Sequence, residues 1–190
     1  MLTSIFLATT ISTNPLADLT QKAAKAKTIV IKLTVTEEPQ SPEFVGQKLT
    51  YSIDKVKNRF CARNADGSFA AVFDGKEVIH RAGGHEQKVP SLQGVTPYGV
   101  LPGFDAILDP KQRKWNSTVN QKGDEVTEVV ITTPVGTLTK TVVFTFDKSG
   151  ILKGYSNTNG TYLADRMTID SIQFDVPIPD ADLIMPKKPK

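Results

Sequence analysis

His80 and His85 are the only two histidines of the chain, and with Glu86 they stand in the stretch HRAGGHE. A His-x4-His-Glu set could in principle supply three zinc ligands. The spacing crosses Gly83-Gly84, a reversal signal, so the imidazoles would meet across a hairpin, and the helical HExxH arrangement of a metalloprotease is missing. The plainer reading is two polar residues flanking an exposed turn. Cys61 is the other candidate, since a thiol beside a histidine makes a nucleophile pair. It lies within RFCAR, a strand-like run where a buried, inert thiol is commoner. No Gly-x-Ser-x-Gly elbow, phosphate loop or dinucleotide fingerprint occurs. The expectation is a protein without catalysis, without a metal and without a cofactor.

The elements that would position any site come next. A chain of 190 residues with 39% hydrophobic and 23% charged residues suits one globular domain with a sizeable core. Three of its 23 basic residues, Lys187, Lys188 and Lys190, lie at the very end, so the body carries as many cations as its 20 acids. That balance argues against a nucleic-acid surface. A single cysteine excludes an internal disulfide and a cysteine-only zinc site.

Residues 1–13, MLTSIFLATTIST, read as a shortened secretory segment, apolar but too short to anchor in a bilayer. No Lys or Arg lies near Met1 and no good small-x-small cleavage site follows, so a packed N-terminal segment is the alternative. Export to the periplasm or beyond is the leading expectation. The apolar stretch has no cysteine after it, which argues against lipid attachment there.

Asn14-Pro15 is a cap followed by a first helical position, and LADLTQKAAKAK places Leu16, Leu19, Ala23 and Ala26 at helical spacing. TIVIKLTVT then puts Ile29, Ile31, Leu33 and Val35 on one face of a strand. The period of two persists in KLTYSID, with Leu49, Tyr51 and Ile53, and in TKTVVFTF, with Val142, Phe144 and Phe146. Asp66-Gly67, Asp74-Gly75, Gly83-Gly84, Ser149-Gly150 and Asn159-Gly160 mark reversals between them. The pattern predicts antiparallel hairpins in series, half buried. Between Met167/Ile169 and Ile172/Phe174 the apolar parity changes, which predicts a bulge or break at Asp170-Ser171. No repeat, low-complexity block or linker divides the chain.

LQGVTPYGVLPGFDAILDP, residues 92–110, breaks the pattern: it is apolar, rich in Gly and Pro and poor in charge. A short helix through FDAIL can follow Pro102-Gly103, and Pro110 ends it. By pattern alone the segment is either a plug that fills one face of the sheet or a lid over a cavity. Asn116-Ser-Thr and Asn159-Gly-Thr are glycosylation sequons, which matter only in a glycosylating host. The terminal KKPK could touch anionic headgroups at roughly 1 kcal/mol per Lys, although a solvated terminus is the simpler reading.

The order of parts resembles a family. An N-terminal helix and a long first strand lead to the pair KLTYSIDKVKNRFCAR, the hairpin FDGKEV and the apolar insert, then FTFDKSGILKGY and a last strand ending in VPIPDADLIMP. This resembles the LolA/LolB-like periplasmic lipoprotein-carrier superfamily over residues 14–186, leaving 187–190 as a basic tail. The resemblance implies an α+β fold in which a strongly curved antiparallel β-sheet, an unclosed half-barrel, is covered by short helices and takes acyl chains on its concave face. The lining it implies is Ile31, Leu33, Leu49, Tyr51, Phe60, Phe144, Phe146, Met167 and Phe174, with Tyr98, Leu101, Phe104 and Leu108 from the insert acting as a lid. An acyl chain gains about 0.8 kcal/mol per buried methylene, so such a site needs no polar motif. In the carrier proper an Arg-Pro takes part in opening and closing. The nearest stretch here is DKVKNRF, where Lys55 is the match, no proline follows it, and Arg59 is the other cation. The expected partners are a lipid or lipoprotein and a membrane-associated donor or acceptor protein; the expected state is a monomer. The alternative on the same fold is a sensory or protein-interaction module whose concave face is filled.

Overall fold

The computed structural model describes residues 14–40, 42–90, 116–122, 126–135 and 137–187. The chain enters through helix α1 (Pro15–Lys25), whose start is fixed by Asn14: its Oδ1 accepts from the Ala17 amide at 3.2 Å, and Pro15 sits in the first turn. Asp18 in the first turn and Lys22 and Lys25 in the last complement the helix dipole. The helix buries Leu16, Thr20 and Ala23.

Eleven strands follow among the described residues: β1 (Thr28–Glu37), β2 (Lys48–Asp54), β3 (Arg59–Asn64), β4 (Ala70–Phe73), β5 (Glu77–Ala82), β6 (His85–Pro90), β7 (Asn116–Lys122), β8 (Val126–Val135), β9 (Leu138–Asp147), β10 (Leu152–Asn159) and β11 (Tyr162–Phe174). They form one sheet in the order β6-β5-β4-β3-β2-β1-β11-β10-β9-β8-β7, and every pairing is antiparallel. All neighbours but one are sequential hairpins. The exception, β1 with β11, joins the two halves of the chain. Among the described residues β6 and β7 each pair on one side only, and the sheet is unclosed.

Side-chain rows run across it from strand to strand. Ile31 lies opposite Tyr51, Tyr51 opposite Ala62 and Ala62 opposite Ala71. On the other side Val35 lies opposite Met167, followed by Tyr155, Phe144 and Val129. A flat sheet of eleven strands would be about 48 Å wide. These rows nonetheless share one buried cluster with α1, from Phe73 on β4 to Ile131 on β8, because the sheet curves around them. The concave face is therefore the core.

The parity change foreseen near residue 170 is a register shift. Ser171 lies opposite Lys32 and Ile169 opposite Leu33, so Asp170 drops out of the ladder. Its carboxylate accepts from Thr34 Oγ1 at 3.1 Å on the outer face.

Beyond β11 the chain turns sharply at Asp175, in the left-handed region at φ 55°. The Asp175 carboxylate accepts from the Lys27 amide at 2.7 Å, and Thr28 Oγ1 donates to the Val176 carbonyl at 2.6 Å. Proline at 177 and 179 then forbids another strand. The chain runs as a strap over the outer face, through a 3-10 turn at Asp180–Asp182, and buries Leu183. Lys57 binds Asp180 at 2.6 Å, Arg63 binds Asp182 at 2.5 Å, and Arg81 donates to the Lys187 carbonyl at 3.4 Å. Gly67 shows how close the strap lies: at φ +74° it takes a conformation that L side chains rarely adopt, and a Cβ there would meet the Lys187 carbonyl at 3.2 Å. Among the described residues no helix is long and apolar enough to cross a membrane.

Candidate binding site on the concave face

The alternation in β1, β2, β9 and β11 sends one set of side chains inward, and most of the expected lining residues are in that set. Ile31, Leu33, Leu49, Tyr51, Phe60, Phe144, Phe146 and Met167 are buried in a single cluster, with Phe174 half-buried against it. Aromatic contacts join parts of it: Tyr51 stacks on Phe60 with centroids 6.0 Å apart, and Phe144 meets Tyr155 at 5.8 Å. Tyr98, Leu101, Phe104 and Leu108 lie outside the described residues, as does the helix expected through FDAIL.

Lys55 sits in the β2–β3 turn and reaches α1, where its ammonium donates to the carbonyls of Ala23 and Ala24, each at 2.8 Å. These are carbonyls at the helix C-terminus, which a cation satisfies and stabilises. Burial lowers the Lys55 pKa, and Asp175 partly restores it. Arg59 opens β3, half-buried, where its charge acts on Lys57 and Asp180 of the strap fastening. The two cations therefore stand at different junctions, one against the helix and one beside the strap.

His80 lies within β5, three residues before Gly83, and its ring meets the Phe69 ring edge-on at 5.5 Å. It is half-buried, which corrects its reading as a residue of an exposed reversal. His85 is exposed and pairs with Ala82, whereas His80 pairs with Gln87. The Glu86 carboxylate is held by Arg81 at 2.6 Å. Among the described residues, no three His, Cys, Asp or Glu side chains gather in a way that could hold a metal ion. Cys61 is buried on the outer face, its thiol donating to the Ile184 carbonyl at 3.8 Å. Burial pushes its pKa up to about 11, so it is a neutral thiol at neutral pH.

One inward-facing pair was not among the expected site residues. Asn157 on β10 and Asp165 on β11 lie opposite each other, 4% and 5% exposed, beside buried Val142. Burial pushes the Asp165 carboxyl up to about 6, against the pull of Asn157 and Tyr155 beside it. Tyr51 is held above its ordinary value by burial and then by Asp165. The signal was present: Asp165 is in phase with Met167 and Ile169, and Asn157 with Tyr155.

Two grooves lie elsewhere. One, of about 710 Å³, runs between the outer face of β1–β3 and the strap, lined by Lys32, Lys48, Thr50, Arg63 and Pro179 among others. The second, of about 570 Å³, separates α1 from the β9–β10 turn and is lined by Leu19, Ile151, Ile172 and Phe174 with charged neighbours.

No family model matches the sequence, and no curated protein matches it. Solved structures do match. The chain is similar to an uncharacterized conserved protein from Thermus thermophilus, 8% identical, with a TM-score of 0.52 and 92% of this chain and 94% of that chain covered. At that identity the likeness is one of fold. A LolA superfamily protein from Nitrosomonas europaea is also matched, at 9% identity and a TM-score of 0.35, with 89% and 97% covered.

Proposed function

We propose that this protein is a non-catalytic binding protein that holds the acyl chains of a lipid or lipoprotein against the concave face of its sheet. The observation that carries the reading is the continuous inward apolar surface from Phe73 and Phe60 through Ile31 and Leu33 to Phe144 and Val129, on a sheet that does not close. A hydrocarbon chain needs only such a surface, about 0.8 kcal/mol per buried methylene being enough to offset ordering. The order of elements that resembles the lipoprotein carriers supports the same reading. With it go export to the periplasm or beyond and a membrane-associated donor or acceptor for the cargo.

A second reading, a sensory or interaction module with a filled interior, is favoured by one fact: Phe60, Phe144 and Phe146 are 0% exposed. Native mass spectrometry of the full chain purified without detergent, followed by organic extraction, separates the two. Copurified lipid at stoichiometric mass supports the acyl-binding protein. A clean protein mass that stays unchanged on incubation with lipid vesicles supports the filled module.

A further inference from the structure

The concave face is interrupted by a polar pair with unmet hydrogen-bonding capacity. Asn157 and Asp165 are both more than nine-tenths buried, and neither Asn157 Oδ1 nor Asp165 Oδ1 has a hydrogen-bond partner among the described residues. Their mutual contact, Asn157 Nδ2 donating to Asp165 Oδ2, is long at 3.4 Å. Buried acceptors without a donor are costly and uncommon. The two orphan atoms are both oxygens, so beside the donors Asn157 Nδ2 and the Tyr155 hydroxyl the site still offers two unmet acceptors. The groups that face Asp165 are Asn157 and Tyr155 on β10, Tyr51 from β2, Glu38 just beyond β1 and Lys140 on β9.

Position adds a direction. Successive antiparallel hairpins put α1 at the end of the sheet that holds the β2–β3 and β9–β10 turns, where Lys55 binds it and a Cβ at Gly150 would lie 3.9 Å from Pro15. Asp165 lies near the start of β11, toward the β10–β11 turn at the opposite end. Between the two ends the inward side chains of β1, β9 and β11 are apolar.

We propose that Asn157 and Asp165 are the polar anchor of the acyl site. They accept hydrogen bonds from a donor carried next to the acyl chain, a hydroxyl or an ammonium group, while the chain runs along the apolar face toward α1. This rests on the acyl-binding reading and deepens it: the preferred ligand is an amphiphile with a donor at its polar end, not a bare acceptor such as an ester or ether. The carboxyl pKa is raised by burial in spite of Asn157 and Tyr155, and an ammonium beside it would draw it further down.

The test compares ligands of one chain length by the thermal midpoint of the full-length protein, since a ligand that binds the native state raises it. Decanol should match the midpoint rise of decyl methyl ether at about tenfold lower concentration, the equivalent of one buried hydrogen bond. Asn157→Leu and Asp165→Leu should each erase most of that preference while leaving the response to the ether. In the wild type, decylamine should gain on decanol between pH 5 and pH 7.5, as Asp165 gives up its proton. Should the alcohol and the ether act equally, the pair holds water only: the anchor is overturned and the acyl reading stands. A preference that survives in both variants places the donor contact elsewhere and overturns the anchor as well. If none of the ligands raises the midpoint, anchor and acyl reading fall together. The wild-type comparison decides even if a variant does not fold.

Discussion

The two wings of the sheet are built differently. In the wing from β2 to β4 both faces are covered: Tyr51, Ser52, Ile53 and Asp54 are buried in succession, and so are all four residues of β4. The strap accounts for much of this, laying Leu183 and its neighbours over Cys61 and reaching Arg81 on β5. In the wing of β9 and β10 burial alternates, with Val142, Phe144 and Phe146 inward and the residues between them half-exposed. The doubly covered wing gains from both faces, whereas the other has one wet side and carries the unmet Asn157–Asp165 pair. Opening free energies differ across a structure for such reasons, and the elements that move are drawn from the less stable end. The β9–β11 wing is thus the half with less to hold it, beside the strapped wing.

Phe60 and Phe144 measure that contrast directly, because both are 0% exposed on the same face. Phe60→Ala should cost about 3–5 kcal/mol, read from urea midpoints, because neighbours held from both sides cannot collapse into the void. Phe144→Ala should fall at or below the low end of that range, since strands with a free outer face move in more easily. Equal losses would break the comparison. Next in size is the strap itself: Leu183→Ala should cost about 2–4 kcal/mol and expose Cys61. Thiol labelling, slow in the native wild type because the group is buried and protonated, should speed up. Unchanged labelling would mean that the strap is not what covers the wing.

Much of this wing-and-strap plan can be read from residue spacing, and the places where it cannot are instructive. Ile29 to Val35, Leu49 to Ile53 and Val142 to Phe146 alternate because a sheet with one apolar face requires it, and the structure buries those residues. The break at Asp170 followed from parity for the same reason. Alternation, however, assigns the other face to water, so the burial of Ser52 and Val72 is hidden in it, and only the residue type points to a buried Cys61: the covering depends on a segment more than a hundred residues away folding back. Asp165 and Asn157 had the inward phase, but an acid or amide counts as a surface residue by type, and only tertiary packing shows that it is shut in. His80 flanks the Gly83-Gly84 turn as its spacing implies, but its strand runs to Ala82, further than the apolar pattern does.

Asp165 gives a smaller effect with a definite sign. Its pKa is raised in the folded protein to about 6, mainly by burial, from an ordinary 3.8. The native state therefore holds this proton more tightly than the unfolded chain. The associated stability is fully present below about pH 3.8 and is lost as pH rises through about 6. Asp165→Asn removes the titration, so the variant should gain on the wild type between pH 4.5 and pH 7.5, by on the order of 1–3 kcal/mol at the upper end. Urea midpoints at both values provide the check. A wild type that gains on the variant as pH rises would show a paired carboxylate and an unchanged difference a solvated one; in either case the β10–β11 interior would no longer be the less satisfied wing.

The smallest effect is expected at the β5–β6 edge. His80 and His85 stand on a hairpin that pairs with the rest of the sheet through β4 alone among the described residues, and Arg81 rather than either histidine joins its two strands by a charge contact, to Glu86. His85 is exposed, and its loss removes no packing. His80 contributes one edge-on contact with Phe69, which a Gln side chain replaces in part by its methylenes. Replacing both with Gln should therefore shift stability by no more than about 0.5 kcal/mol and leave lipid binding intact. If the double variant instead loses a stoichiometric metal on elemental analysis, the two imidazoles serve a purpose that their separate pairings with Gln87 and Ala82 do not reveal, and the edge hairpin ceases to be the inert part of the strapped wing.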